Sequence, residues 1–532
     1  MSGPLYLGVD VGTGSARAGL FTADGRQIGR GVHPITTWKP APDHVEQSSD
    51  DIWMACCRAV QEALRSAAAS PGDVRGIGFD ATCSLVALDA EGQPVTVSRD
   101  GDDARNVVVW MDHRATRDAL EINATAHRVL EYVGGAISPE MQTPKLRWLK
   151  RELPRTWQRT CHWLDLPDFL TWRATGSTAR SLCSTVCKWT YLGHEARWDA
   201  SYFHEIGLGD LAEDRFARLG TDIRSPGECI GVLSTRSAAE LGLEAGTPVG
   251  VSLIDAHAGA LGTIGGAGSD IPMDRRMAVI AGTSACHLAL VAEGQRVRGV
   301  WGPYHGALLP GRWLLEAGIS ASGAFLDHAL RGFCAGTESD ALRNAEQALQ
   351  QLEAAGTTAA DLTRDFHLQC NVLGNRAPLA DPGLTGGLAG WTLRSDGTEL
   401  ARWYLAALQS LAYATRHIVE AMRDAGVSPE LLVVSGGCAA NPRWCQVHAD
   451  ALGLPIAIPQ QPDGVVAGSA MLGACAAGAY ASLEDAAAGM NRIERILKPN
   501  VTERAFHDAK YAVYRRMIDD QRAYAAIMRS PG

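Results

Sequence analysis

Two aspartates in this 532-residue chain stand where a carboxylate could do chemistry. Asp10 ends an apolar run over 5–9 and is followed by Val11-Gly12-Thr13-Gly14-Ser15. Asp255 follows a second apolar run over 249–254 and precedes mostly small residues over 256–261. A sheet holds a carboxylate rigidly at a strand end. Such a group can accept a proton from a bound hydroxyl or ligate a hard cation. Position alone also allows Asp10 to cap a turn and Asp255 to cap a helix.

The turn after Asp10 has a counterpart. Val9-Asp10-Val11-Gly12-Thr13-Gly14 and Val279-Ile280-Ala281-Gly282-Thr283-Ser284 are both apolar strands ending in Gly-Thr. Glycine lets a ligand approach the main chain, and successive N–H groups in such a turn form an anion-binding concavity. Two of these turns facing each other across a cleft would grip a polyphosphate from both sides. A third glycine turn, Ser435-Gly436-Gly437, leads to Asn441-Pro442, a good helix start with Asn as cap and Pro in the first position. The chain has no Gly-Lys-Ser/Thr run, so this is not a Walker-type loop, and no dinucleotide fingerprint follows a strand.

The elements that must position these groups are those of an α/β protein. The length requires two or more domains. A hydrophobic fraction of 46% and a charged fraction of 20% are ordinary for a globular chain, and a net charge of −10 argues against a nucleic-acid partner. The first residues lack a basic segment followed by a long apolar one, so a cytoplasmic location is expected, with the thirteen cysteines reduced. Cys183 and Cys187, near His162, make a poor zinc pattern and read as buried thiols. The stretch 464–483 carries no charge, but it is mostly Ala and Gly. It reads as a helix packed closely on a sheet, not as a membrane span. Periodicity predicts strands over 5–9, 16–21, 74–79, 85–88, 107–110, 277–281, 287–291 and 431–434, and a helix over 50–69. The Gly-rich, then polar stretch 265–276 reads as a domain junction.

With these motifs in this order, the chain resembles the FGGY carbohydrate kinases of the actin-like, Hsp70-like and sugar-kinase superfamily. The residues that carry the likeness are Asp10-Val11-Gly12-Thr13-Gly14-Ser15 with Arg17, Asp168-Phe169-Leu170-Thr171-Trp172-Arg173-Ala174-Thr175-Gly176, Ile254-Asp255-Ala256-His257, Ala281-Gly282-Thr283-Ser284, Gly374-Asn375-Arg376-Ala377-Pro378 and Ser435-Gly436-Gly437-Cys438-Ala439-Ala440-Asn441. The family's early signature fits Met141-Gln142-Thr143-Pro144-Lys145-Leu146-Arg147-Trp148 only loosely. The resemblance implies a two-lobed α/β fold of ribonuclease H-like domains around a central cleft. Its N-terminal domain would cover 1–268 and its C-terminal domain 269–532.

The resemblance also implies roles. Gly12, Thr13, Gly14, Ser15, Arg17, Gly282 and Thr283 would hold the phosphates of ATP, and Gly436, Gly437 and Asn441 the adenosine side. Asp10 would hold Mg²⁺, directly or through water. Asp255 would be the general base, and His257 would point elsewhere. Thr82, Cys83, Trp110, Asp112, Lys188 and Glu316 would meet a sugar with Asp255. The pattern is most like the pentulose kinases, and Thr82-Cys83-Ser84-Leu85-Val86 is similar to the D-ribulose subgroup. The expected reaction is phosphorylation of the terminal hydroxyl of D-ribulose. The alternatives are another pentulose or polyol (L-ribulose, xylulose or ribitol) or an actin-like ATPase module. The expected partners are a small sugar and a second copy of the chain, with no nucleic acid and no membrane.

Overall fold

The computed structural model describes residues 3–333, 338–393, 396–461 and 463–529. Two seven-stranded sheets form its frame. The first runs, in spatial order, Cys229–Val232, Pro248–Gly250, Val74–Ala81, Leu5–Val11, Ser15–Thr22 and Gln27–Pro34, with Leu253–Ile254 also pairing with Val74–Ala81. The second runs Trp301–His305, Trp313–Ile319, Ala285–Val291, Arg276–Ala281, Leu431–Ser435, Ile456–Pro459 and Ile493–Leu497. Both repeat one plan. A hairpin pairs antiparallel (Val11 opposite Ala16, Ala281 opposite Ala285), and its first strand then pairs parallel with a later one.

The plan explains the composition of the central strands. All seven residues of Leu5–Val11 and all five of Leu431–Ser435 are buried, as expected where helices cover both faces of a parallel pair. It also gathers the motifs. In open α/β sheets ligands bind beyond the carboxyl ends of the strands. Asp10 and Gly12, Thr82, Asp255, Gly282 and Gly436 all lie at or just past such ends.

The uncharged stretch forms the helix Gly464–Ala476, buried along most of its length. It belongs to the second half of the chain yet packs on Leu5–Val11 and Val74–Ala81 of the first sheet and on the helix Asp255–Ile264. Glycines permit the approach. A Cβ on Gly468 would lie 1.9 Å from the Ala258 carbonyl oxygen, and one on Gly262 would lie 2.0 Å from that of Gly464. Among the described residues no helix is long and apolar enough to cross a membrane, and no cysteine is paired.

A smaller five-stranded sheet, Trp38–Ala41, His44–Gln47, Val107–Val108, Leu85–Leu88 and His162–Asp165, is built from segments outside the first large sheet. The strand expected over 107–110 stops at Val108. Beyond it one more main-chain bond remains, from the Val109 N–H to the Val45 carbonyl. Then the Trp110 N–H donates to Ser84 Oγ and the buried Lys145 ammonium to the carbonyls of Val109 and Trp110, so side chains take over from the ladder.

Candidate active site

The two glycine hairpins meet at one cavity of about 420 Å³. Asp10, Gly12 and Arg17 line it from the first sheet, and Gly282, Thr283 and Ser284 from the second. Asp255 stands between them, with Thr82, Cys83, Trp110, Lys188 and Glu316.

Each hairpin is fixed by its own main chain. The Gly12 N–H donates to Ser15 O at 3.0 Å, and Ile35 N–H donates to Gly14 O. Thr13 is tied to the first domain's side chains: its hydroxyl accepts from Trp110 Nε1 at 2.9 Å and its carbonyl from Gln47 Nε2 at 2.7 Å. In the second hairpin, Gly282 N–H donates to Ser284 O, while Ser322 and Gly323 N–H donate to Thr283 O and Gly282 O. Gly436 has φ +86°, and a Cβ there would lie 2.6 Å from the Ala281 carbonyl oxygen. The third turn therefore presses directly against the second. Beyond it, Gly437 and Asn441 open onto a separate hollow of about 720 Å³ with Tyr404, Glu346 and Arg443. Asn441 caps the helix Pro442–Leu452 by accepting from Arg443 and Trp444 N–H, and its Nδ2 donates to Tyr404 Oη at 2.8 Å.

The acidic groups differ in their surroundings. Asp10 Oδ2 accepts from Arg17 Nε at 2.5 Å, whereas Asp10 Oδ1 is buried without a partner. Asp80 lies opposite Asp10 in the parallel register and accepts from Ser469 Oγ. Burial, then the charge of Asp10, push Asp80 well above the usual carboxylate range. Asp255 is the first residue of the helix Asp255–Ile264, one position inside the cap Ile254, and its Oδ1 accepts from the Ala256 N–H at 2.7 Å. Burial and then Asp10 raise its pKa to about 6. A carboxylate tuned there is ionised at neutral pH and still basic enough to take a proton.

The opposite end of the cavity holds a compact charge network. Lys188 ends the helix Leu182–Lys188, and its ammonium lies 5.7 Å from the centre of the Trp301 ring. Arg376 stacks over the same ring at 4.2 Å and reaches Glu316 at 4.0 Å. Burial opposes the Glu316 charge, but Lys188, His257 and Arg376 outweigh it and hold the carboxylate well below its usual range. Burial likewise opposes the Lys188 ammonium, and Cys83 and Glu316 lead the groups that raise it.

Asp112 does not line the cavity. It is fully buried and accepts from Val45 N–H, Arg114 N–H and the Arg114 guanidinium, which anchors the turn after Trp110. Thr13, Gly14 and Ser15 complete the first hairpin without lining the cavity themselves, and His257 lies behind Glu316. Two charged cavity residues, Arg376 and Glu140, lie outside the site set expected from the sequence. Arg376 lies within Gly374-Asn375-Arg376-Ala377-Pro378. Glu140 had no signal, because only the fold brings it beside Arg376 and within 3.5 Å of His113. The expected neighbour of Cys183 and Cys187 was His162, but the histidine that meets them is His257.

Comparison with known proteins agrees with this geometry. The description "FGGY family of carbohydrate kinases, N-terminal domain" matches residues 5–262, and its C-terminal counterpart matches 277–477. The chain is 44% identical to an FGGY carbohydrate kinase domain-containing protein of Xenopus laevis, over 98% of both chains. It is 36% identical to a D-ribulokinase of Saccharomyces cerevisiae, over 88% of this chain and 72% of the relative. A crystal structure of a xylulose kinase from Rhodospirillum rubrum superposes with a TM-score of 0.81 at 19% identity, over 98% and 99% of the two chains. The two-lobed fold, the paired hairpins in order and these matches over nearly the whole length place the chain in one group: it belongs to the FGGY family of carbohydrate kinases.

Proposed function

We propose that this protein transfers the γ-phosphoryl group of ATP to the terminal hydroxyl of D-ribulose, giving D-ribulose 5-phosphate, with Asp255 as general base. One observation supports this reading above the others. Asp255, with its pKa at about 6, stands in one cavity between two main-chain phosphate cradles and the Lys188–Glu316 network. The identity with the yeast D-ribulokinase favours D-ribulose among the pentuloses.

Phosphoryl transfer to an alcohol needs positioning, compensation of phosphate charge and an acceptor for the hydroxyl proton. In this reading the triphosphate lies between Gly12–Thr13 and Gly282–Thr283, and the nucleoside lies toward Gly436, Gly437 and Asn441. Asp10 suits a magnesium ion, because a hard cation takes oxygen ligands and Asp10 Oδ1 is a buried carboxylate oxygen without a partner. Bound there, the ion would offset phosphate charge. Sugar hydroxyls both donate and accept, so Lys188, Arg376, Glu316, Glu140 and Thr82 supply the mixed set that fixes their orientation. Trp110 offers an apolar wall. The hydroxyl beside Asp255 gives up its proton to that carboxylate as its oxygen attacks phosphorus, and ADP leaves. The domain division belongs to the same proposal: 1–268 carries the sugar site and the base, and 269–532 the second cradle and the nucleoside hollow.

The test is a coupled assay of ADP release against D-ribulose, L-ribulose, D-xylulose and ribitol. The expected outcome is the highest kcat/KM with D-ribulose. A higher value with another sugar would reassign the substrate, and ATP turnover that no sugar stimulates would remove the kinase reading.

A further inference from the structure

Behind Glu316, away from the reacting groups, three side chains converge that the phosphoryl transfer does not use. Cys183 and Cys187 lie one turn apart on the helix Leu182–Lys188 and therefore face the same way. His257, two residues past Asp255, projects from the helix Asp255–Ile264 toward them. The Cys183 Sγ, Cys187 Sγ and a His257 ring nitrogen lie within 4.8 Å of one another, and Cys183 Sγ is 3.0 Å from His257 Nδ1. All three residues are fully buried.

We infer that Cys183, Cys187 and His257 form a binding site for a thiophilic divalent metal ion, Zn²⁺ foremost, directly behind the sugar pocket. Two thiolates and an imidazole are the ligand set this ion prefers, and three protein ligands leave one position for a small exogenous ligand. The imidazole is already oriented for the task. His257 Nε2 lies 3.5 Å from Glu316 Oε2, and both atoms otherwise lack hydrogen-bond partners. A carboxylate that accepts from one ring nitrogen leaves the lone pair of the other facing the ligand position, the arrangement common to metal-bound histidines. Here that other nitrogen faces the Cys183 sulfur. A hydrolase-like Cys–His–Glu relay is not supported, because a nucleophile needs access to its substrate and Cys183 has no exposed surface.

Binding balances simply. Counted as two thiols and a neutral imidazole, the metal-free cluster carries two protons that the ligated form lacks. The ion replaces both, and the Nε2 proton stays toward Glu316. Two protons leave for each ion bound. The cluster adjoins the cavity through Lys188, next to Cys187 in the chain, and through Glu316, which His257 contacts.

The experiment uses the full chain, stripped with chelator under a phosphine reductant and titrated with Co²⁺ as a spectroscopic probe. The expected result is one ion per chain with a thiolate-to-cobalt charge-transfer band, displaced by Zn²⁺. Calorimetry in buffers of different ionisation enthalpy should show two protons released. Cys187→Ser should weaken binding at least about tenfold, the scale seen even for partners of metal ligands. Cys161→Ser and Cys229→Ser, which alter thiols outside the cluster, should leave it unchanged. X-ray absorption on the Zn²⁺-loaded wild type needs no variant and should show two sulfur neighbours and at least one nitrogen. The inference is overturned if the band is missing, if it persists undiminished in Cys187→Ser, or if the metal shell contains no sulfur.

Discussion

Arg17 Nη1 lies 3.1 Å from Asp463 Oδ2, although 446 positions separate the two residues in the chain. Arg17 stands on the second strand of the first sheet. Asp463 immediately precedes the helix Gly464–Ala476 that the second half lays across that sheet. The same guanidinium holds Asp10, so one cation links both halves and fixes the carboxylate beside the first glycine hairpin.

This link separates two effects. The Arg17–Asp463 pair is partly exposed, and such pairs contribute about 0.2–1 kcal/mol, so Asp463→Asn should shift the thermal midpoint little. Arg17→Ala removes a charged donor from the proposed phosphate side and frees Asp10. Losing a charged hydrogen bond costs about 1.5–3 kcal/mol, so the KM for ATP should rise about tenfold or more while the KM for sugar moves little. Steady-state kinetics with each substrate varied in turn checks this. Equal effects on both KM values would place Arg17 outside the nucleotide site.

Asp255→Asn should lower kcat by about 10²–10⁴-fold, the usual contribution of a positioned base, with nucleotide binding preserved. In the wild type the rate should rise as the pH passes about 6 and level off above it, because only the ionised carboxylate accepts a proton. The stability effect has the opposite sign. The folded pKa lies above the ordinary value of 3.8, so the native state binds the extra proton between about 4 and 6, and the stability this adds is lost as the pH rises through that window. Asp255→Asn should therefore melt higher than wild type at pH 8, and the gap should narrow toward pH 4. A variant that melts lower at pH 8 would mean that Asp255 holds the fold together and is not kept charged at a cost for catalysis.

The glycine hairpins, the central strands and the buried uncharged helix were legible because each rests on local chemistry: a turn that needs glycine, a strand buried on both faces, a stretch without charge. Asp255 was legible as a strand-end carboxylate, and its role came from resemblance. Asp112 was not, since a polar residue after a strand looks the same whether it faces a cavity or, as here, is enclosed by Arg114 and the Val45 N–H. Glu140 and the meeting of His257 with Cys183 depend on segments far apart in sequence, and no spacing encodes them. The end of the strand at Val108 was hidden for the same reason, because the groups that replace the ladder, Ser84 and Lys145, come from other elements.

Gly468→Ala tests the packing between the halves. Its Cβ would lie 1.9 Å from the Ala258 carbonyl oxygen, and a backbone atom cannot turn aside as a side-chain tip can. Overpacking of a tight interior costs about 1–3 kcal/mol, which should lower the thermal midpoint by several degrees even though alanine is the better helix former. Because the helix Asp255–Ile264 would be displaced, kcat should fall as well. An unchanged midpoint would show that the two helices can separate freely.

Lys188 and Glu316 are both buried, with 7% and 3% of their surface exposed, and they share their site with Arg376 and His257. The two opposite charges favour each other across the site, with Arg376 and His257 also facing Glu316. Removing one member of a directly bonded buried pair costs about 3–5 kcal/mol, so a single removal here should cost less than that, and removing both can be nearly neutral. Lys188→Met and Glu316→Gln should each lower the thermal midpoint and raise the KM for sugar. The double variant should recover much of the stability, because neither charge is then left alone, but none of the sugar affinity, because the hydroxyls have lost both a donor and an acceptor. Calorimetric melting and sugar kinetics on the four proteins form a double-mutant cycle that separates the two effects. If the double variant regained sugar affinity along with stability, Lys188 and Glu316 would be scaffolding for the pocket and not the groups that read the sugar.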